Sequence, residues 1–196
     1  MKEFDVEKSK SILLFISLLF ATIYIPLSFC VYSPYCYDYN YYLAQDSIDM
    51  ASYNQATTNL REFFRYSSNL DYEGFNSKEV AHLSEVRTIY DFLLVMFILS
   101  LFSLFFTFDK KKVRKYTKYN IYTVLGLLVI IPFFIPVWVL MHSIFFSNLL
   151  WMNTPNELSY YIFSDMFFRN IMLFVIVFTI IENGLIRLVI NKNKGK

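Results

Sequence analysis

The chain has 196 residues, of which 56% are hydrophobic and only four are glycine. With a mean hydropathy of +0.41, it is too apolar for a soluble globular domain and fits a helical membrane protein. The net charge of +2 averages a basic end of the molecule and an acidic one, so alone it selects no partner.

Four apolar stretches, at about 11–31, 89–108, 121–146 and 170–190, are each long enough to cross roughly 30 Å of hydrocarbon at about 1.5 Å per residue. The predicted fold class is therefore an all-α membrane protein, a single integral domain over residues 1–196 with four transmembrane helices. Residues 32–88 form an outer cap and residues 147–169 a second outer loop. Thirteen of the eighteen basic residues support one orientation. Lys2, Lys8 and Lys10 precede the first span, Lys110, Lys111, Lys112, Arg114, Lys115 and Lys118 lie between the second and third, and Arg187, Lys192, Lys194 and Lys196 close the chain. The excess of positive charge predicts that both termini are cytoplasmic.

The first span reads as a retained anchor, because its leader mixes Lys2 and Lys8 with Glu3, Asp5 and Glu7 and no small-x-small site follows. Cys30 and Cys36 come next. They form either a disulfide on an oxidising side or two unpaired, partly buried thiols, and a spacing of six does not decide between these. Tyr37, Tyr39, Tyr41 and Tyr42 suit an aromatic belt at the headgroups. Ile48, Ala51, Ala56, Leu60, Phe63 and Phe64 recur near helical spacing, with Asp46, Asp49, Asn54, Arg61 and Glu62 elsewhere. That pattern predicts an amphipathic helix on the membrane or over the bundle, acting either as a packed cover or as a substrate-guiding lid.

Asn76 followed by Glu79 reads as a capping-box helix start that runs into the second span. Residues three apart share a helix face, so Glu79 and Glu85 both become candidates to orient His82. Taken alone, such a His–Glu pair is more often a solvated surface feature. His142, the second of the two histidines, alters that reading. It lies 22 residues beyond Asn120, or about 33 Å along a helix, at the outer hydrocarbon boundary. His82 lies 26 residues from Phe108, about 39 Å by the same measure, and tilt or kinks at Pro132 and Pro136 bring the two rings level. His142 is flanked by apolar residues on both sides, so a partner across the bundle is expected. Ser143 and Asn148 are either oxyanion donors or helix-end caps, and Trp151 suits the interface.

Other chemistries find little support. There is no glycine-rich phosphate loop, no cysteine–histidine metal spacing and no serine nucleophile elbow, so no cofactor and no metal are expected. The run Lys110 to Lys118 reads as a topology signal and anionic-lipid contact in place of a nucleic-acid site. Ion translocation is disfavoured, because Glu182 is the exception in spans otherwise nearly bare of ionisable groups.

Four stretches in order carry a resemblance to a known family: Val31-Tyr32-Ser33-Pro34-Tyr35; Phe75-Asn76-Ser77-Lys78-Glu79-Val80-Ala81-His82-Leu83-Ser84-Glu85-Val86; His142-Ser143-Ile144-Phe145-Phe146-Ser147-Asn148-Leu149-Leu150-Trp151; and Glu157-Leu158 through Asp165-Met166-Phe167-Phe168. The chain resembles the lipoprotein intramolecular transacylases, Lit, which are small bacterial membrane acyltransferases. It departs from the family pattern at Glu85, where aspartate is more frequent, at Leu149, where an acid is, and at Ser164, where proline is. The resemblance implies transfer of the sn-2 acyl chain of a diacylglyceryl-modified bacterial lipoprotein onto the α-amine of its own N-terminal cysteine, giving a lyso-form product. It implies His82 and His142 as catalytic residues at the outer leaflet of the cell membrane, among phospholipid. Glu79, Glu85, Ser143, Asn148 and Trp151 would support them. The alternative is a noncatalytic lipoprotein- or lipid-binding protein of the same fold.

Overall fold

The computed structural model describes residues 2–43, 48–70 and 74–192, which leaves Asp46, Lys194 and Lys196 outside. Every regular element among the described residues is helical: α1 (Lys2–Tyr32), α2 (Pro34–Leu43), α3 (Met50–Phe64), α4 (Ser77–Thr107), α5 (Lys110–Gly126), α6 (Phe134–Phe145), α7 (Leu158–Ile162) and α8 (Asp165–Lys192). Three of these are long and apolar enough to cross a membrane, over Val6–Tyr32, Ser77–Thr107 and Asp165–Lys192. A fourth apolar segment, Lys110–Val129 with Ile131–Phe145, is interrupted. Two 3-10 turns, Leu127–Val129 and Ile131–Phe133, separate α5 from α6, with Pro132 in the second. Proline has no amide hydrogen for the α ladder and clashes with the preceding turn. The expected kink is thus a full interruption, whereas Pro136 is absorbed in the first turn of α6. The basic segment from Lys110 to Lys118 is helical, the start of α5. Asp109 caps it, its carboxylate accepting from the Lys112 amide at 2.9 Å.

The chain divides into two compact units. The first comprises Met1–Pro26, Asp91–Val129 and Leu173–Lys196. Its apolar core gathers Leu14, Leu18, Val113 and Ile190, with Leu104, Tyr116 and Ile186 against them. Beside that core lies a buried polar cluster of Thr22, Thr179, Asn183 and Asn120. The Thr179 hydroxyl donates to the Thr22 carbonyl at 2.9 Å. The Asn183 amide donates to the Thr179 carbonyl at 2.8 Å and to the Thr22 hydroxyl at 3.3 Å, and the amides of Asn120 and Asn183 meet at 3.3 Å. Polar bonds between apolar helices fix which faces meet, because every alternative strands a polar group.

The second unit comprises Leu27–Tyr90 and Ile130–Met172, and it holds the cap. Asp49 caps α3, and the apolar face of that helix buries Ala56, Leu60, Phe63 and Phe64, as its periodicity predicts, together with Tyr53 and Thr57. Ala51 faces outward. The tyrosine cluster is not one belt. Tyr35, Tyr39 and Tyr42 are exposed, but Tyr37 is buried, its carbonyl accepting from the Tyr53 hydroxyl at 3.0 Å. Buried Asn40 donates to that same hydroxyl at 3.3 Å and to the Ile162 carbonyl at 3.0 Å, so α2 ties α3 to α7. The cap is also held against α4. Arg87 lies 4.2 Å from the Phe63 ring and 3.9 Å from that of Tyr66, and it donates to the Phe63 carbonyl at 3.1 Å. Tyr66 ends α3 in the left-handed region at φ 60°. Glycine is usual there, and its contact with the guanidinium offsets a strain of about 1 kcal/mol.

Candidate active site

The site begins with the start of α4. Asn76 and Glu79 form the reciprocal pair their spacing predicts: the Glu79 amide donates to Asn76 Oδ1 at 3.0 Å and the Asn76 amide to Glu79 Oε2 at 2.8 Å. The other carboxylate oxygen of Glu79 accepts from the Ser159 amide at 2.6 Å, at the start of α7. Both oxygens are therefore committed to backbone amides, and Glu79 serves as a structural anchor instead of orienting His82. Glu85, one turn on from His82, is the carboxylate that reaches it.

His82 Nδ1 lies 3.5 Å from Glu85 Oε2. This contact is longer than a good hydrogen bond, and both atoms are buried with no hydrogen-bond partner. Glu85 is held from behind by Asn148, whose amide donates to Oε1 at 2.7 Å. Asn148 Oδ1 in turn accepts from the Leu150 amide at 3.0 Å. The side chain that the sequence offered as an oxyanion donor is thus the support of Glu85. The Ser143 hydroxyl is turned away as well, donating to the Leu140 carbonyl at 2.7 Å on an exposed face of α6.

His142 sits in the last turn of α6 and is 4% exposed. Its Nδ1 is 2.9 Å from the Trp138 carbonyl. A carbonyl can only accept, so Nδ1 carries the hydrogen and the neutral ring presents a lone pair at Nε2. The His82 and His142 ring centroids are 6.1 Å apart. Aromatic rings complete the enclosure. Trp138 lies 4.2 Å, Trp151 4.8 Å and Phe146 5.3 Å from His142, and Phe146 lies 4.8 Å from His82. The Trp151 indole N–H is buried without an acceptor. Polar atoms of His82, Glu85 and Trp151 thus lack a hydrogen-bond partner around the two rings, as do several others elsewhere in the molecule.

One contact escaped the sequence reading. Lys78, in the first turn of α4, donates to both carboxylate oxygens of Glu157, at 2.8 and 3.0 Å, and to the Met152 carbonyl at 2.5 Å. Glu157 Oε2 also accepts from the Thr154 amide at 2.6 Å. Burial pushes the Glu157 carboxyl up, yet the Lys78 ammonium and the Thr154 amide outweigh it and hold the group below the usual carboxylate range. This clasp fastens the segment that carries Asn148 and Trp151 to the helix that carries His82. No local spacing announces it, since the two residues are 79 positions apart.

Comparison with known families identifies the arrangement. The profile of the family described as lipoprotein intramolecular transacylase Lit matches residues 10–171. The chain belongs to the Lit family. It is accordingly a membrane acyltransferase of the transacylase kind. The crystal structure of Lit from Bacillus cereus superposes with a TM-score of 0.80 at 16% identity, over 98% of this chain and 99% of that one. Two structures of the Bacillus cereus protein, with one histidine replaced by alanine or by arginine, give TM-scores of 0.75 and 0.70 at 14% and 17% identity. They cover 99% and 98% of this chain, and 98% and 95% of theirs. At these identities the likeness establishes the fold, an all-helical, multi-pass membrane protein. No curated protein sequence matches the chain. Leu149 is exposed, and the Ser164 hydroxyl accepts from the Phe167 amide at 3.2 Å, capping α8.

Proposed function

We propose that this Lit protein moves the sn-2 acyl chain of a diacylglyceryl-modified lipoprotein onto the α-amine of the lipoprotein's N-terminal cysteine, with His82 and His142 as the acid–base pair. The observation that carries the reading is the 6.1 Å approach of the two imidazoles within a largely aromatic enclosure. An attacking amine must lose a proton and the departing glycerol oxygen must gain one, and imidazole does both near neutral pH. His142 has Nδ1 bonded to the Trp138 carbonyl at 2.9 Å, and His82 has Nδ1 facing the Glu85 carboxylate at 3.5 Å. That leaves both Nε2 atoms for the reacting groups. The apolar walls limit water, which favours aminolysis of the ester over hydrolysis. Positive-inside asymmetry supports cytoplasmic termini and histidines at the outer leaflet, where lipoproteins and phospholipid would meet the site.

The test is mass spectrometry of a lipoprotein from cells expressing the wild-type protein, His82→Ala or His142→Ala. Wild type is expected to yield the lyso form with an amide-linked chain. Either variant should lose it by at least about a hundredfold, the usual contribution of a positioned acid or base. Undiminished lyso product from either variant would remove that residue from the mechanism.

A further inference from the structure

We infer that Cys30 and Cys36 are closed into a disulfide in the mature protein, a covalent modification that staples the corner between α1 and α2. Cys30 lies in the last turn of α1 and is 1% exposed, and Cys36 lies in the first turn of α2. The Ser33 amide continues the path of α1 by donating to the Phe29 carbonyl at 2.8 Å. The Ser33 hydroxyl then accepts from the Tyr35 amide at 3.3 Å, and Pro34 opens α2. This tight joint brings the two cysteines to the same point, Cys30 buried and Cys36 partly exposed. In the structure they are free thiols, Cys36 donating to the Cys30 sulfur at 2.8 Å, inside the van der Waals separation of two sulfur atoms. A helix-to-helix corner that merely needed small apolar side chains would not require two thiols so placed.

The site is separate from the histidine pair, and the inference rests on the proposed orientation, which puts this corner on the oxidising side of the membrane. The partly exposed Cys36 attacks, as its thiolate, one sulfur of a carrier disulfide of the extracytoplasmic thiol–disulfide exchange class, forming a mixed disulfide. The Cys30 thiolate then displaces the carrier, so that one S–S bond forms and one breaks. The two cysteines lose two protons and two electrons, and the carrier leaves as a dithiol. The product ties α1 to the helix whose Tyr37 and Asn40 hold α3 and α7, so the cap inherits the rigidity of the anchor helix.

The experiment is thiol counting on the full-length protein, with cells lysed directly into denaturant and N-ethylmaleimide and no reductant. The expected result is no adduct before reduction and two after it, the unreduced protein being lighter by two hydrogen atoms. Two adducts before reduction overturn the inference. A second arm treats intact cells carrying Cys30→Ser with a membrane-impermeant maleimide. Labelling of Cys36 from outside, together with free thiols in the wild type, shows the corner chemistry to be wrong. Absence of outside labelling shows the orientation to be wrong, which also overturns the inference. Neither result touches the histidine variants, whose readout is the lipoprotein product. Reductant should lower the melting temperature of the wild type by several degrees and leave the doubly substituted Cys30→Ser, Cys36→Ser protein unmoved.

Discussion

Replacing Glu157 by glutamine removes one charge from the clasp while keeping its shape. The ammonium of Lys78 then faces a neutral amide in place of two carboxylate oxygens at 2.8 and 3.0 Å. Hydrogen bonds to charged groups contribute about 1.5–3 kcal/mol each. The Lys78 side chain is 30% exposed and that of Glu157 8%, so water takes up part of the loss and the net cost is about 2 kcal/mol. For a chain of this length that is a fall of about 4–8 °C in the melting temperature of the detergent-solubilised protein. The dependence on pH gives a sharper test. Because the folded Glu157 is held below its ordinary range, its stabilisation is complete above the unfolded carboxyl's value of about 4.3 and disappears as pH falls through the lower folded value. Wild type and Glu157→Gln should therefore differ at neutral pH and converge in acid. Combining Glu157→Gln with Lys78→Met should cost less than the two single changes added together, since each alone strands the other partner. A melting curve for Glu157→Gln within a degree of wild type at neutral pH, or a gap that stays constant down to strong acid, would refute the assignment.

The Asn148–Glu85–His82 chain makes a kinetic prediction. Glu85→Gln and Asn148→Ala should each slow acyl transfer about tenfold or more, with little change in KM, as for other groups that orient an acting imidazole; wild-type rates in both would show the chain to be incidental. In the first compact unit, Asn183→Ala strips the bonds to Thr22, Thr179 and Asn120. This should cost about 1–2 kcal/mol in a denaturation titration while sparing turnover at the folded plateau; an unchanged midpoint would mean that the cluster holds nothing.

Hydropathy made the spans legible, because roughly twenty successive apolar residues have few folded destinations other than a bilayer. The start of α4 was legible from Asn76 and Glu79, whose exchange of hydrogen bonds is local and needs only three residues of spacing. Helix rise, with tilt or proline kinks to close the remaining difference, led to the expectation that the two imidazoles share a level. What stayed hidden depends on contacts between distant segments. Periodicity set Glu79 and Glu85 on one face as equals, and only the arrival of the Ser159 amide, 80 positions away, distinguishes them. The same limit concealed the pairing of Lys78 with Glu157 and the burial of Tyr37 beside exposed Tyr39 and Tyr42. The interruption at Pro132 was underread for another reason. A proline in an apolar run predicts a disturbance, but whether the helix bends or breaks depends on what its neighbours offer the freed carbonyls.

The chain contains two tryptophans, and both lie against His142, at 4.2 and 4.8 Å between ring centroids. Its indole emission therefore arises wholly from beside one imidazole. Charging that ring quenches nearby indoles, and filling the space beside it shifts their colour. The unlabelled molecule thus carries its own optical gauge of proton and lipid occupancy, free of background from any other indole in the chain.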